Sequence, residues 1–229
     1  MSLSTLEGRI REFQQLVTGD SVVDDKTGVE HRLAYLEAPR TVPVYVAASG
    51  PAALRTAGRV GDGVILLVGT APELIAQALD HVRAGATESG RNLDDIDVVL
   101  WTEVAIDEDP TVARDQVRSP VARTVMRWLP HELPERVVPA VEHLRTFASE
   151  YEGKYVGHKV ARPEHARMVT DAVVDAFSLA GTPTEIESRL EEFAKCGVDQ
   201  VAVVPAYGTS WESRLAMVRA FAGVAGGPA

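Results

Sequence analysis

Cysteine is almost absent from this chain: Cys196 is the only one among 229 residues, which excludes an intramolecular disulfide framework and a cysteine-rich zinc centre. Long apolar runs are also missing. No stretch approaches the roughly 18 consecutive apolar residues of a membrane helix. The opening Met1-Ser2-Leu3-Ser4-Thr5-Leu6-Glu7 has neither the basic nor the apolar segment of a signal peptide. A cytoplasmic protein with no membrane partner is therefore expected. Basic clusters are lacking as well: 23 Lys and Arg stand against 33 Asp and Glu, a net charge of -10, so nucleic acid is not the expected partner. Small anions remain open, because they respond to local donors rather than to net charge. The six histidines are scattered without metal-ligand spacing, and no metal site is expected.

What the chain does have is 45% hydrophobic residues, enough to bury a substantial core in one domain or at most two. Val42 to Ala48, Val64 to Val68, Val98 to Ile106 and Gln200 to Pro205 read as strands. Three of them are near-continuous apolar runs, the pattern of parallel strands covered on both faces. Helices follow each: Pro51 to Arg59, Pro72 to Ala86, Pro110 to Leu129 and Ser210 to Ala222. In the second, Leu74, Ile75, Ala78, Leu79, Val82 and Ala86 form one stripe. Thr70-Ala-Pro-Glu73, Thr182-Pro-Thr-Glu185 and Thr209-Ser-Trp-Glu212 fit capping boxes at helix starts.

The expected organisation is one domain over residues 1–229. A helix and surface excursion fill 1–40, with a turn at Asp25-Lys26-Thr27-Gly28; βα units fill 41–109; a long, mostly helical insertion fills 110–198; the last strand and helix fill 199–229. All strands are expected beyond residue 41. A closed barrel needs eight βα units, and about four are visible, so the chain is either an open sheet or part of a barrel.

Two strand ends could carry chemistry. The strand from Val42 runs into Ala47-Ala48-Ser49-Gly50, and Pro51 then opens a helix. Gly50 lets a ligand approach the backbone, and the helix dipole with its free amides points at whatever sits there, a phosphate cradle or simply a tight turn. The next strand ends in Gly69-Thr70, where the Thr70 hydroxyl could cap the helix or donate to a phosphate. Neighbouring parallel strands place phosphorylated cofactors at such ends. Gly58, Gly61 and Gly63 do not spell a dinucleotide fingerprint.

Pro43-Val-Tyr-Val-Ala-Ala-Ser-Gly-Pro51, Ala57-Gly58-Arg59 and Gly61-Asp62-Gly63-Val-Ile resemble the fifth and sixth strand regions of the luciferase-like oxidoreductases, particularly the coenzyme F420-dependent branch. Phe177-Ser-Leu-Ala-Gly-Thr-Pro-Thr-Glu185, Gly197-Val-Asp-Gln-Val201 and Pro205 are similar to that family's approach to its last strand. The resemblance covers nearly the whole chain. It implies an α/β fold, part of a TIM (β/α)8-type barrel with about four parallel βα units and the helical insertion, lacking the N-terminal half. It also implies hydride transfer with coenzyme F420, alternatively FMN, on a small-molecule substrate. Ala47, Ala48, Ser49 and Gly50 would contact the cofactor's phosphate or ribityl portion, and Gly69 and Thr70 its phosphate. The acid/base residues would belong to the absent half, so the catalytic residues stay unknown. A homo-oligomer such as a dimer, or a partner completing the barrel, is expected, as is the alternative of a non-catalytic binding or assembly module.

Among other residues, Glu103 is a carboxylate in an apolar strand on the side of Trp101, and such a group must be paired or shift its pKa. His158 is the histidine best placed to line a pocket, ahead of His131. Arg118 to Arg127 reads as a solvated helix face, and Trp128 and Trp211 as packing or interface residues.

Overall fold

Helices start where proline can occupy the first turn without losing a needed donor, and in the computed structural model Pro51, Pro72, Pro110 and Pro183 each open one. The structure describes residues 2–35, 38, 40–129, 131–151, 164–205 and 210–224. They fall into two compact units, Met1–Ile65 with Leu79–Asp97, and Leu66–Ala78 with Val98–Ala229.

The first unit begins with α1 (Leu3–Val17), whose first turn is capped by the Ser2 side chain accepting from the Thr5 amide. A short antiparallel hairpin follows, β1 (Val22–Val23) with β2 (Glu30–His31), pairing Val22 with His31 and Val23 with Glu30. The expected turn at Asp25–Gly28 is there: Asp24 Oδ1 accepts from the Lys26 and Thr27 amides at 3.0 and 2.9 Å. The strands on either side of it correct the expectation that every strand lies beyond residue 41. Two residues are too short for an alternation to register in a sequence. Next come β3 (Tyr45–Ala48), α2 (Pro51–Val60) and β4 (Gly63–Leu66), with β3 and β4 adjacent in the sheet. β4 and α3 (Pro72–Glu88) each run across the boundary between the units.

Close approach of α2 to the second half of α3 depends on missing side chains. A Cβ built at Gly58 would lie 2.1 Å from the Val82 carbonyl oxygen, and one at Gly85 would lie 1.9 Å from that of Arg55. The glycines that fail to form a nucleotide fingerprint thus include one that packs two helices. Arg59 ties the same region together, pairing with Glu7 at 3.0 Å and Glu88 at 3.0 Å.

The second unit is organised by β5 (Asp97–Ile106), followed by α4 (Pro110–Trp128), α5 (Val138–Tyr151), a 3₁₀ turn at Glu164–Met168, α6 (Asp171–Phe177), β6 (Leu179–Gly181), α7 (Pro183–Lys195), β7 (Gln200–Pro205) and α8 (Trp211–Val224). β5 pairs in parallel with β7 from Val99↔Gln200 to Val104↔Pro205, and with β6 from Val104↔Leu179 to Ile106↔Gly181. The architecture is α/β with parallel strands, and the described residues form no closed barrel. β6 is a strand inside the segment expected to be a helical insertion. Its three residues read as part of a loop in the sequence, yet they take up hydrogen bonds along the C-terminal end of β5. No described helix is long and apolar enough to cross a membrane.

Replacing Gly85 by Ala sets a helix-propensity gain of about 1 kcal/mol against overpacking onto a backbone carbonyl, typically about 1–3 kcal/mol and higher where the neighbour cannot give. Urea unfolding is expected to show net destabilisation of about 2 kcal/mol. Unchanged or increased stability would contradict the close approach.

Candidate functional site

The strand-to-helix turn of the first unit has the features of an anion site. β3 alternates, with Tyr45 and Ala47 exposed and Val46 and Ala48 buried, and so delivers the chain to Ser49 and Gly50, both half-buried. Gly50 is the N-cap of α2 with extended backbone (φ −101°, ψ 157°), and no side chain caps the helix. Pro51 has no amide hydrogen, and the first-turn amides of Ala52 and Ala53 have no intrahelical acceptor. Among the described residues, no hydrogen bond is made by the Ser49 hydroxyl either. A donor-only backbone end, a hydroxyl that no described residue engages and a glycine without a Cβ form a set suited to a phosphate oxygen. Each charge-assisted bond of this kind contributes on the order of 1.5–3 kcal/mol.

The Gly69-Thr70 turn belongs to the second unit and is built differently. Both residues are buried, Thr70 completely. The Thr70 hydroxyl donates to the carbonyl oxygens of Ser178 (2.9 Å) and Asp175 (3.2 Å). The Thr70 and Ala71 amides both donate to the Ala176 carbonyl, at 2.8 and 3.0 Å. From α7, Arg189 donates to the Thr70 carbonyl at 2.8 Å and to the Asp175 carbonyl at 3.0 Å, with its guanidinium 5.3 Å from the Phe193 ring centroid. Gly69 has φ +97°, and a Cβ there would lie 2.8 Å from the Phe177 ring. The Thr70 capping box is therefore corrected: the Leu74 and Ile75 amides donate to the Ala71 carbonyl, and the Thr70 hydroxyl satisfies buried carbonyls after α6 instead. The other testable box is present, with Thr182 accepting from the Glu185 amide and Glu185 accepting from that of Thr182. That bond, ahead of the opposing effect of burial, leaves the Glu185 carboxyl below its usual range. Thr209 lies outside the described residues.

A second correction concerns Arg118. Its side chain is not a solvated face but is half-buried, donating to the Val169 carbonyl at 2.6 Å and pairing with Asp171 and with Asp115 at 2.7 Å. Glu103 is 3% exposed and is engaged by other groups of the chain. Trp101, on the same face of β5, is 43% exposed. Cys196 caps the C-terminus of α7, and burial, followed by the charges of Glu192 and Glu73, pushes its thiol up, away from a reactive thiolate. His143 bonds the Met168 carbonyl through Nε2 at 2.6 Å, and His131 is also engaged. His158 lies outside the described residues. Sequence reasoning missed Arg189, whose helical spacing marks it only as one more charged position on α7.

The luciferase-like monooxygenase family matches residues 8–200. The chain belongs to that family. This luciferase-like chain is 31% identical over 205 residues to the 5,10-methylenetetrahydromethanopterin reductase of Archaeoglobus fulgidus, covering 87% of itself and 59% of that protein. It is 28% identical over 199 residues to an F420-dependent glucose-6-phosphate dehydrogenase of Gordonia bronchialis, covering 86% of itself and 52% of the dehydrogenase. Among solved structures, it is similar to the coenzyme F420 dependent tetrahydromethanopterin reductase of Methanopyrus kandleri, with a TM-score of 0.68 and 26% identity, over 93% of this chain and 60% of that one. The luciferase-like chain thus spans between about half and three-fifths of the length of these relatives.

Changing Thr70 to Val keeps the shape but removes the hydroxyl donor from the buried Ser178 carbonyl, while the Asp175 carbonyl keeps Arg189. It is expected to cost about 1–3 kcal/mol of unfolding free energy. A loss within about 0.5 kcal/mol, the range of an unremarkable surface change, would contradict the role given to the hydroxyl.

Proposed function

We propose that this chain binds coenzyme F420 and belongs to an oxidoreductase acting on a small-molecule substrate. The observation that carries the reading is the uncapped N-terminus of α2, where the Ser49 hydroxyl, Gly50 and the first-turn amides present donors and no acceptor charge. Its support from likeness is that both the Archaeoglobus reductase's structural counterpart from Methanopyrus and the Gordonia dehydrogenase are described as F420-dependent. When bound, a deazaflavin accepts or gives a hydride at its ring. The residues of this chain take the other end of such a molecule: Ala47 and Ala48 offer backbone beside the ribityl portion, and Ser49 and Gly50 hold the phosphate against the positive end of the α2 dipole. Gly69 and Thr70 belong to the proposed cofactor residues through the shape of their turn, which Thr70 holds from behind. FMN is the alternative cofactor, because it presents a phosphate of the same charge to the same donors.

A second reading is a binding or assembly module without turnover of its own. It is favoured by the half-exposed Trp101 on a central strand. In both readings a homo-oligomer, or a partner supplying further βα units, covers what this chain leaves open.

Fluorescence titration of the purified chain with coenzyme F420 and with FMN tests the cofactor assignment. Binding in the micromolar range is expected for F420. Ser49→Asp, which places a carboxylate where the phosphate would sit, is expected to weaken it at least about tenfold, or about 1.4 kcal/mol, with unfolding stability retained. Binding that ignores the substitution would remove the α2 N-terminus from the site, and absence of binding to the folded chain would remove the cofactor. Substrate-dependent F420 reduction by the chain alone would decide against the second reading.

A further inference from the structure

Two aspartates close two pairs of strands with the same reciprocal hydrogen bonds. Asp62, the residue before β4, accepts from the Val44 amide through Oδ2 at 2.8 Å and donates its own amide to the Val44 carbonyl at 2.9 Å. Asp199, the residue before β7, accepts from the Val98 amide through Oδ2 at 2.8 Å and donates its own amide to the Val98 carbonyl at 2.9 Å. Each clasp lies within one of the two units. In each, the valine stands at the start of the neighbouring strand, β3 or β5, and the carboxylate supplies an acceptor where the ladder of the second strand has not yet begun.

The two clasps differ in what they enclose. Between Val98 and Asp199 lies most of the second unit, whereas between Val44 and Asp62 lie only β3, the Ser49-Gly50 turn and α2. Asp62 thus joins the base of β3 to the residue two beyond the end of α2, and the turn is the opposite end of that short closed loop. Other groups hold the same base. Gln14 of α1 donates to the Val60 carbonyl at 3.2 Å and to the Asp62 carboxylate at 3.5 Å, and Arg91 donates to the Gly61 carbonyl at 2.8 Å. The Arg91 guanidinium, set against the carbonyl end of α2, complements a helix dipole whose positive end is at the turn. The Tyr45 hydroxyl bonds Asp97, and its ring crosses Gly63, where a Cβ would lie 2.3 Å from it.

We propose that Asp62 is a positioning residue for the anion site at the α2 N-terminus. Its carboxylate sets the height of β3 against β4 and ties the end of α2 to both, and so fixes where the Ser49 hydroxyl and the Ala52 and Ala53 amides stand. Asp62 touches no ligand. The identity of the ligand rests on the cofactor reading; the control of the turn by the clasp does not.

Amide NMR of the ligand-free chain, with fluorescence titration by coenzyme F420, tests this on four variants. Asp62→Ala is expected to shift the Ser49, Gly50, Ala52 and Ala53 amides and, because a displacement of about 1 Å suffices to misalign binding groups, to weaken F420 binding about tenfold. Asp62→Asn keeps an acceptor for the Val44 amide and should restore both. Asp199→Ala removes the equivalent bond from the other clasp and measures plain destabilisation: it should lower the urea midpoint while leaving those four amides and the F420 affinity unchanged. Asp62→Glu keeps the charge and moves the acceptor by one methylene; it should perturb the same amides, and it decides the question if the alanine variant does not fold. Ligand-free amides that ignore Asp62→Ala and Asp62→Glu would overturn the proposal, as would equal changes from Asp199→Ala. Displaced amides with unchanged F420 affinity would do so equally. A wild type that binds no F420 would instead remove the cofactor reading, and the ligand-free amides would still decide the role of Asp62.

Discussion

The second unit depends on the backbone of one strand. β5 is ten residues long, and its peptide groups set the register of β7 along most of its length and of β6 at its C-terminal end. A parallel strand in that position has to be covered on its faces, and Leu100, Thr102 and Val104 are each at most 1% exposed. From that strand follow the placing of α6 and β6, and from them the Gly69-Thr70 turn, whose amides and hydroxyl end on carbonyls of residues 175–178. Arg189 closes the arrangement by holding the Thr70 and Asp175 carbonyls from α7. The turn's own amides and hydroxyl are thus taken up by the chain.

The α2 turn shows the opposite state of satisfaction. Its helix is anchored from behind by Gly58 against the Val82 carbonyl and by Arg59 between Glu7 and Glu88, while among the described residues the donors at its N-terminus have no partner. A fixed scaffold with donors left over is what an anion site requires. The contrast between the two turns is one of hydrogen bonding: among the described residues the α2 turn has donors left over, and the Gly69-Thr70 turn is held in shape by the chain itself.

Much of the fold was legible in the sequence where a local rule acts without competition. Proline at the first helical position marked α2, α3, α4 and α7, and the apolar runs marked β5 and β7 to within a residue. The family was legible as well, through Ala47-Ala48-Ser49-Gly50-Pro51 and the glycines after it. Legibility ended where tertiary partners decide. Thr70 satisfies the capping pattern on paper, but carbonyls more than a hundred residues away take its hydroxyl. Arg118 sits among charges in the sequence and is drawn inward by the Val169 carbonyl and Asp171. β6 is three residues long, and only the free edge at the end of β5 makes it a strand.

Amide NMR of the labelled chain during addition of coenzyme F420 addresses the account at its centre. The account predicts the largest shift changes at Ser49, Gly50, Ala52 and Ala53, where a phosphate accepts their protons, and little change at Thr70 and Ala71, whose amides are held by Ala176. Saturable changes confined to other residues, with those four unmoved, would contradict it.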